Sequence, residues 1–141
     1  MPTAASLFLD YDNDGKLDLI TSPFQLTPVG WRNDGAKAPA FEVRLEDRRT
    51  ANKFAVGARI DVRSKDGRRQ MREIKASGGN QSHDILLARF GLGDWESVAS
   101  MTVRWPDGET SEVAGPLKPG RYRLVRSAAG RQPIAGAAKA D

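Results

Sequence analysis

The chain contains no cysteine. Disulfide staples, thiolate zinc sites and a cysteine nucleophile are therefore excluded, and the fold must rest on its own core. His83 is the only histidine. One imidazole cannot supply the multi-histidine ligand sets of zinc enzymes. Long apolar runs are missing as well: no stretch of the 141 residues approaches the roughly 18 needed to cross a bilayer as a helix. Met1 to Ser6 hold neither the basic segment nor the apolar core of a secretion signal. Apolar residues do not recur at helical spacing, so an amphipathic helix is not expected. Charge of one sign is in small excess, with 22 Lys and Arg against 18 Asp and Glu. The basic residues are scattered: two pairs, Arg48-Arg49 and Arg68-Arg69, and a spaced set, Arg121, Arg123 and Arg126. A nucleic-acid face concentrates such residues among aromatics. No nucleic-acid partner is expected, and an acidic polysaccharide is the alternative to a merely solvated surface.

What is present is turn chemistry. Four Asp-Gly pairs occur, at Asp14-Gly15, Asp34-Gly35, Asp66-Gly67 and Asp107-Gly108. Asp-Gly tolerates the positive φ of tight hairpins. Between these turns lie short runs of β-branched and aromatic residues. Strands are expected near Leu7–Leu9, Leu17–Thr21, Phe41–Leu45, Ala58–Ser64, Arg69–Ala76, Leu86–Phe90, Ser100–Trp105, Thr110–Val113 and Tyr122–Arg126. Met101, Val103 and Trp105 alternate with Thr102 and Arg104, which sends one face inward. Met71 and Ile74 break the alternation of their strand and predict a bulge or an early end to pairing. The whole reads as all-β and sandwich-like. Residues 1–36 form an N-terminal hairpin with a proline-rich connector, 37–126 a β domain, and 127–141 an Ala- and Gly-rich tail expected to fray.

The sharpest motif is Asp10-Tyr11-Asp12-Asn13-Asp14-Gly15-Lys16-Leu17-Asp18. Aspartates at alternate positions of a tight loop can converge on one hard cation, and Gly15 permits the bend between them. The expected calcium ligands are Asp10, Asp12, Asp14 and Asp18, with Lys16 offering its backbone carbonyl. An EF-hand would need a carboxylate where Thr21 stands, and helices where the flanks read as strands. Magnesium demands stricter octahedral geometry, so calcium is the expected ion.

The run Phe8 to Ile20 resembles the FG-GAP or VCBS repeat, and Gly30-Trp31-Arg32-Asn33-Asp34-Gly35 resembles the end of such a repeat. Asn52–Ile60, Gln70–Glu73, Gln81-Ser82, Phe90-Gly91-Leu92-Gly93 and Val103–Gly108 resemble the ASPIC/UnbV domain. The resemblance implies a calcium-binding β-propeller followed by a C-terminal β domain, in a secreted or cell-surface protein concerned with adhesion or interaction. It departs from the pattern at Gly79-Asn80, where the family usually has Gly-Tyr. One repeat cannot close a propeller, so this chain is expected to be the C-terminal part of a longer protein.

Other features carry less. Ser82-His83-Asp84 has triad composition, but neighbours on a strand face opposite ways. Gly91-Leu92-Gly93 lacks the third glycine and the helix of a dinucleotide loop, and reads as a bend that packs Phe90 and Leu92. Trp105 reads as core, and Trp95 as a loop residue that either packs or contacts a ligand. Cross-strand pairs are expected between Arg72 and Glu73 and between Arg59 and Asp61. The reading is a non-enzymatic, calcium-stabilised module for a protein or glycan partner. The alternative is an enzyme or accessory domain with a pocket at Arg72, Glu73, Gln81 and His83. A further alternative is a structural cap on a propeller.

Overall fold

A computed structural model describes residues 3–12, 14–77, 85–127 and 134–137. Every regular element among them is a strand. In chain order these are β1 (Thr3–Leu9), β2 (Asp18–Pro23), β3 (Val29–Trp31), β4 (Ala40–Asp47), β5 (Arg59–Arg63), β6 (Arg69–Glu73), β7 (Ala88–Gly91), β8 (Val98–Arg104), β9 (Thr110–Leu117), β10 (Gly120–Arg126) and β11 (Ile134–Ala137). The chain divides into two compact units: Met1–Ala38 with Lys75–Ile85, and Pro39–Ile74 with Leu86–Asp141.

The first unit holds a three-stranded antiparallel sheet in the order β1-β2-β3. Leu7 stands opposite Ile20, and Leu9 opposite Asp18. The connector after Ser22 therefore contributes a strand that the sequence reading did not include. β3 is only three residues long, too short for an alternation signal, and its pairing with Leu19–Thr21 is what defines it.

The second unit is a sandwich of two four-stranded sheets, β11-β10-β4-β7 and β6-β5-β8-β9. Alternation sets its core. Phe41, Val43 and Leu45 of β4 point inward, as do Ile60 and Val62 of β5 and Met101 and Val103 of β8. Burying each such side chain contributes about 1.5–3 kcal/mol. Phe41 also packs against Tyr122, with ring centroids 4.7 Å apart and the planes tilted by 39°. Trp105 and Trp95 are both buried in this cluster, so Trp95 packs inward. The Gly91-Leu92-Gly93 bend packs Phe90 and Leu92, as its spacing predicts.

Three local expectations are decided by the pairing. Pairing of β5 with β6 keeps register from Arg63↔Arg69 to Arg59↔Glu73. The strand ends at Glu73, the early end of the two expected outcomes, with no bulge; Ile74 just beyond it is buried in the core, and its N–H still donates to the Ala58 carbonyl at 2.9 Å. The charge partners are Arg59 with Glu73 at 3.8 Å and Arg69 with Asp61 at 2.5 Å. Register decides this: Glu73 lies directly across from Arg59, whereas adjacent residues on one strand face opposite ways. Within the tail expected to fray, Ile134–Ala137 pair antiparallel with Tyr122–Val125.

One end of the sandwich is closed by charge. Arg126 and Asp47 sit side by side in the parallel β10–β4 pair, and both are buried. The Arg126 guanidinium bonds Asp47, meets Asp107 at 2.8 Å and lies 4.4 Å from the Trp105 ring centroid. Arg49 pairs with Glu109 beside it. The Trp105–Glu109 hairpin turn is thereby tied to the strands below it.

A candidate cation site in the first hairpin

The loop joining β1 to β2 carries the aspartate motif. Backbone N–H groups hold its carboxylates in place. Gly15 donates to Asp10 Oδ2 at 2.9 Å, Tyr11 to Asp18 Oδ2 at 3.2 Å, and Asn33 to Asp18 Oδ1 at 2.8 Å. Asp18 is buried, with both oxygens engaged by amides from separate segments. Asp12 Oδ1 accepts from the N–H of Asp14 at 3.2 Å, closing a local Asx turn. Gly15 takes φ +87, a conformation that costs an L-residue backbone strain.

One oxygen from each of Asp10, Asp12 and Asp18 falls within 4.8 Å of the others. Oxygens that share a calcium ion at about 2.3–2.6 Å can stand at most about 4.6–5.2 Å apart. The three are therefore close enough together to share one ion of that size. Three carboxylates so close repel one another by about 1–4 kcal/mol per pair at such distances, depending on solvent access. Arg32 offers partial relief, with its Nε 3.5 Å from Asp12 and 3.4 Å from Asp34.

Asp14 and Lys16 stand differently. Asp14 is not part of the converging group among the described residues. Its Oδ1 accepts the Lys16 N–H at 2.8 Å and its Oδ2 meets Lys16 Nζ at 2.9 Å. The Lys16 hydrogen bond holds the Asp14 carboxyl below its ordinary range. The loop thus offers a convergent trio of carboxylates and a separate Asp14–Lys16 pair.

Asn33 had only a turn role in the sequence, yet it braces the loop. Besides bonding Asp18, it donates its side-chain amide to the Leu17 carbonyl at 3.1 Å, while its Oδ1 accepts from Gly35 at 3.0 Å. The Asn33-Asp34-Gly35 turn was the only available signal, because the contact spans 15 residues. Nearby, Trp31 is exposed and donates its indole N–H to Thr21 at 3.1 Å.

The alternative pocket is represented by two of its four residues. Arg72 lies over the Phe90 ring at 5.4 Å and donates to the carbonyls of Arg89 and Met71. Glu73 turns to Arg59 instead. Gln81 and His83, with the Ser82-His83-Asp84 run and Gly79-Asn80, lie outside the described residues.

Comparison with known proteins identifies a family for the second unit. Residues 48–131 match the family model described as ASPIC and UnbV. Over 102 residues, the chain is 30% identical to Cartilage acidic protein 1 of Mus musculus and of Xenopus tropicalis, which covers 71% of this chain. The human protein of that name matches at the same identity. The chain spans 16% of the length of the mouse and frog relatives and 15% of the human one. A match running from the loop after β4 through β10 covers most of the sandwich, and on that ground the chain belongs to the ASPIC and UnbV family.

Proposed function

We propose that this chain is a calcium-binding, non-enzymatic interaction module, the C-terminal part of a longer secreted or cell-surface protein with FG-GAP/VCBS-type repeats. The observation that carries the reading is the convergence of Asp10, Asp12 and Asp18 within 4.8 Å on a loop fixed by backbone amides. Those three side chains hold the ion, the Lys16 carbonyl adds an oxygen, and Asp14 stands beside them. Bound calcium supplies charge neutralisation: it relieves the carboxylate repulsion and ties β1 to β2. Extracellular modules bind calcium with dissociation constants of about 10⁻⁴–10⁻³ M, which suits a loop with few carboxylates. A relative named for cartilage, a tissue rich in extracellular matrix, supports the same setting. The partner is then a protein or a glycan.

The test is calorimetric titration with calcium, together with thermal melts in calcium and in chelator. A ligand that binds only the folded state stabilises it by about 2.7 kcal/mol at a hundred times its Kd. One-to-one binding that is lost in Asp12→Ala and weakened less in Asp14→Ala is the expected result. No heat of binding and no melt shift would overturn the calcium reading.

A further inference from the structure

We propose that the outer face of the β11-β10-β4-β7 sheet is a docking surface for a sulfated polysaccharide. The proposal rests on reading the chain as an interaction module, and it does not depend on the calcium loop. With Phe41, Val43 and Leu45 turned inward, β4 presents Glu42, Arg44 and Glu46 outward. Register sets Arg121 beside Glu42 and Arg123 beside Arg44, while β7 sets Arg89 on the other side of Glu42. Arg48 joins the edge through Glu46.

Among the described residues, four of these arginines are set against two glutamates. Glu42 is divided between Arg89 and Arg121, and Glu46 between Arg48 and Arg123. Arg44 is exposed and makes no ion pair among the described residues, and its parallel-strand neighbour is a second arginine. Like charges placed directly opposite destabilise a sheet. A face that only needed to be soluble would alternate its charges; among the described residues this one sets more guanidinium groups than carboxylates. The exposed ones, Arg44, Arg121 and Arg123, are spaced about 4.8 Å across strands and about 7 Å along them, while Arg89 is mostly buried beside Glu42. The glutamates hold the side chains of Arg121 and Arg123 in place while leaving them about half exposed.

Charge complementarity names the occupant. Guanidinium forks match sulfate and carboxylate oxygens two at a time, and a regularly spaced array of them suits a polymer that repeats those groups. Single-stranded nucleic acid needs aromatic platforms for stacking. None of the exposed large apolar side chains among the described residues lies on this face.

The probe is heparin, titrated into the full chain across a range of salt, in calcium and in chelator. Arg44→Gln with Arg123→Gln is compared with Arg63→Gln and Arg104→Gln. The second pair removes the same net charge from exposed positions on the outer face of the other sheet, where neither residue makes an ion pair among the described residues. Saturable binding is expected, weakened about tenfold and with a shallower salt dependence in the first variant, and changed less than about twofold in the second. Arg44→Gln alone, which breaks no ion pair among the described residues, should weaken binding with an unchanged melting curve, so misfolding of the double variant cannot account for the result. Absence of saturable binding, equal loss in both double variants, a requirement for calcium, or tighter binding of a single-stranded oligonucleotide would each overturn the proposal. Loss of calcium binding with heparin binding intact would instead count against the calcium loop alone.

Discussion

At the scale of single residues, the hairpin loop is held by backbone donors as much as by side chains. Asp18 takes two amide hydrogens that would otherwise lack partners, one from Tyr11 and one from Asn33. Asp18→Ala should cost about 1–3 kcal/mol for the donors left unpaired. Amide hydrogen exchange at Tyr11 and Asn33 would report it, as faster exchange at both positions and little change in the sandwich. Gly15 sits at φ +87, and a methyl group there would come within 2.9 Å of Lys37 Cε. The lysine end can shift, so backbone strain is the main penalty. Gly15→Ala should therefore cost about 1–2 kcal/mol and lower calcium affinity roughly tenfold, measured by the same calorimetric titration.

At the scale of elements, β9 shows how much geometry a single position can impose. Its register with β8 shifts between Val98 and Ser100. Beside that irregularity, Gly115 approaches the neighbouring backbone so closely that a Cβ would lie 2.3 Å from the Val98 carbonyl oxygen and 2.6 Å from that of Ala99. Backbone cannot swing aside as a side chain can. Gly115→Ala should destabilise the sandwich by at least about 1–3 kcal/mol, the range for overpacking. Urea unfolding should show a lower midpoint at an unchanged slope. An unaltered midpoint would mean that β8 and β9 can part there at no cost.

At the scale of the whole molecule, the charged end of the sandwich sets the response to acid. Burial pushes the Asp47 carboxyl up, but hydrogen bonds from Arg126, Arg49 N–H and Thr50 outweigh it and leave it below the ordinary range. Arg126 lowers Asp107 in the same way, and Arg49 lowers Glu109. Groups held low in the folded state bind fewer protons there than in the unfolded chain. Their contribution is complete above the unfolded carboxylate pKa of about 4 and is lost as pH falls through the depressed native values. The melting temperature should accordingly hold from neutrality to mild acid and fall steeply below about pH 4. Removing Arg126 strands a buried carboxylate, so Arg126→Ala should cost about 3–5 kcal/mol, whereas Arg126→Met with Asp47→Leu should recover much of it. Melts across pH would check both points, and the double variant should lose part of its acid sensitivity.

Much of this was legible in the sequence. Period-two alternation and Asp-Gly turns are local properties, so nine of the strands, the inward faces of Phe41–Leu45 and Ser100–Trp105, and the aspartate loop could be read without a structure. The fates of Arg121, Arg123 and Arg126 needed the partner strand as well. Alternation along β10 sends the first two outward and buries the third against Asp47, which splits an apparent basic cluster into a surface array and an internal ion pair. The brace from Asn33 to Asp18, the pairing of Arg59 with Glu73, and the strands β3 and β11 likewise depend on register between distant segments. A sequence by itself determines which way each side chain alternates and where the chain can turn. Which strand lies beside which is decided only when the sheets assemble, because their hydrogen bonds join residues far apart in the chain.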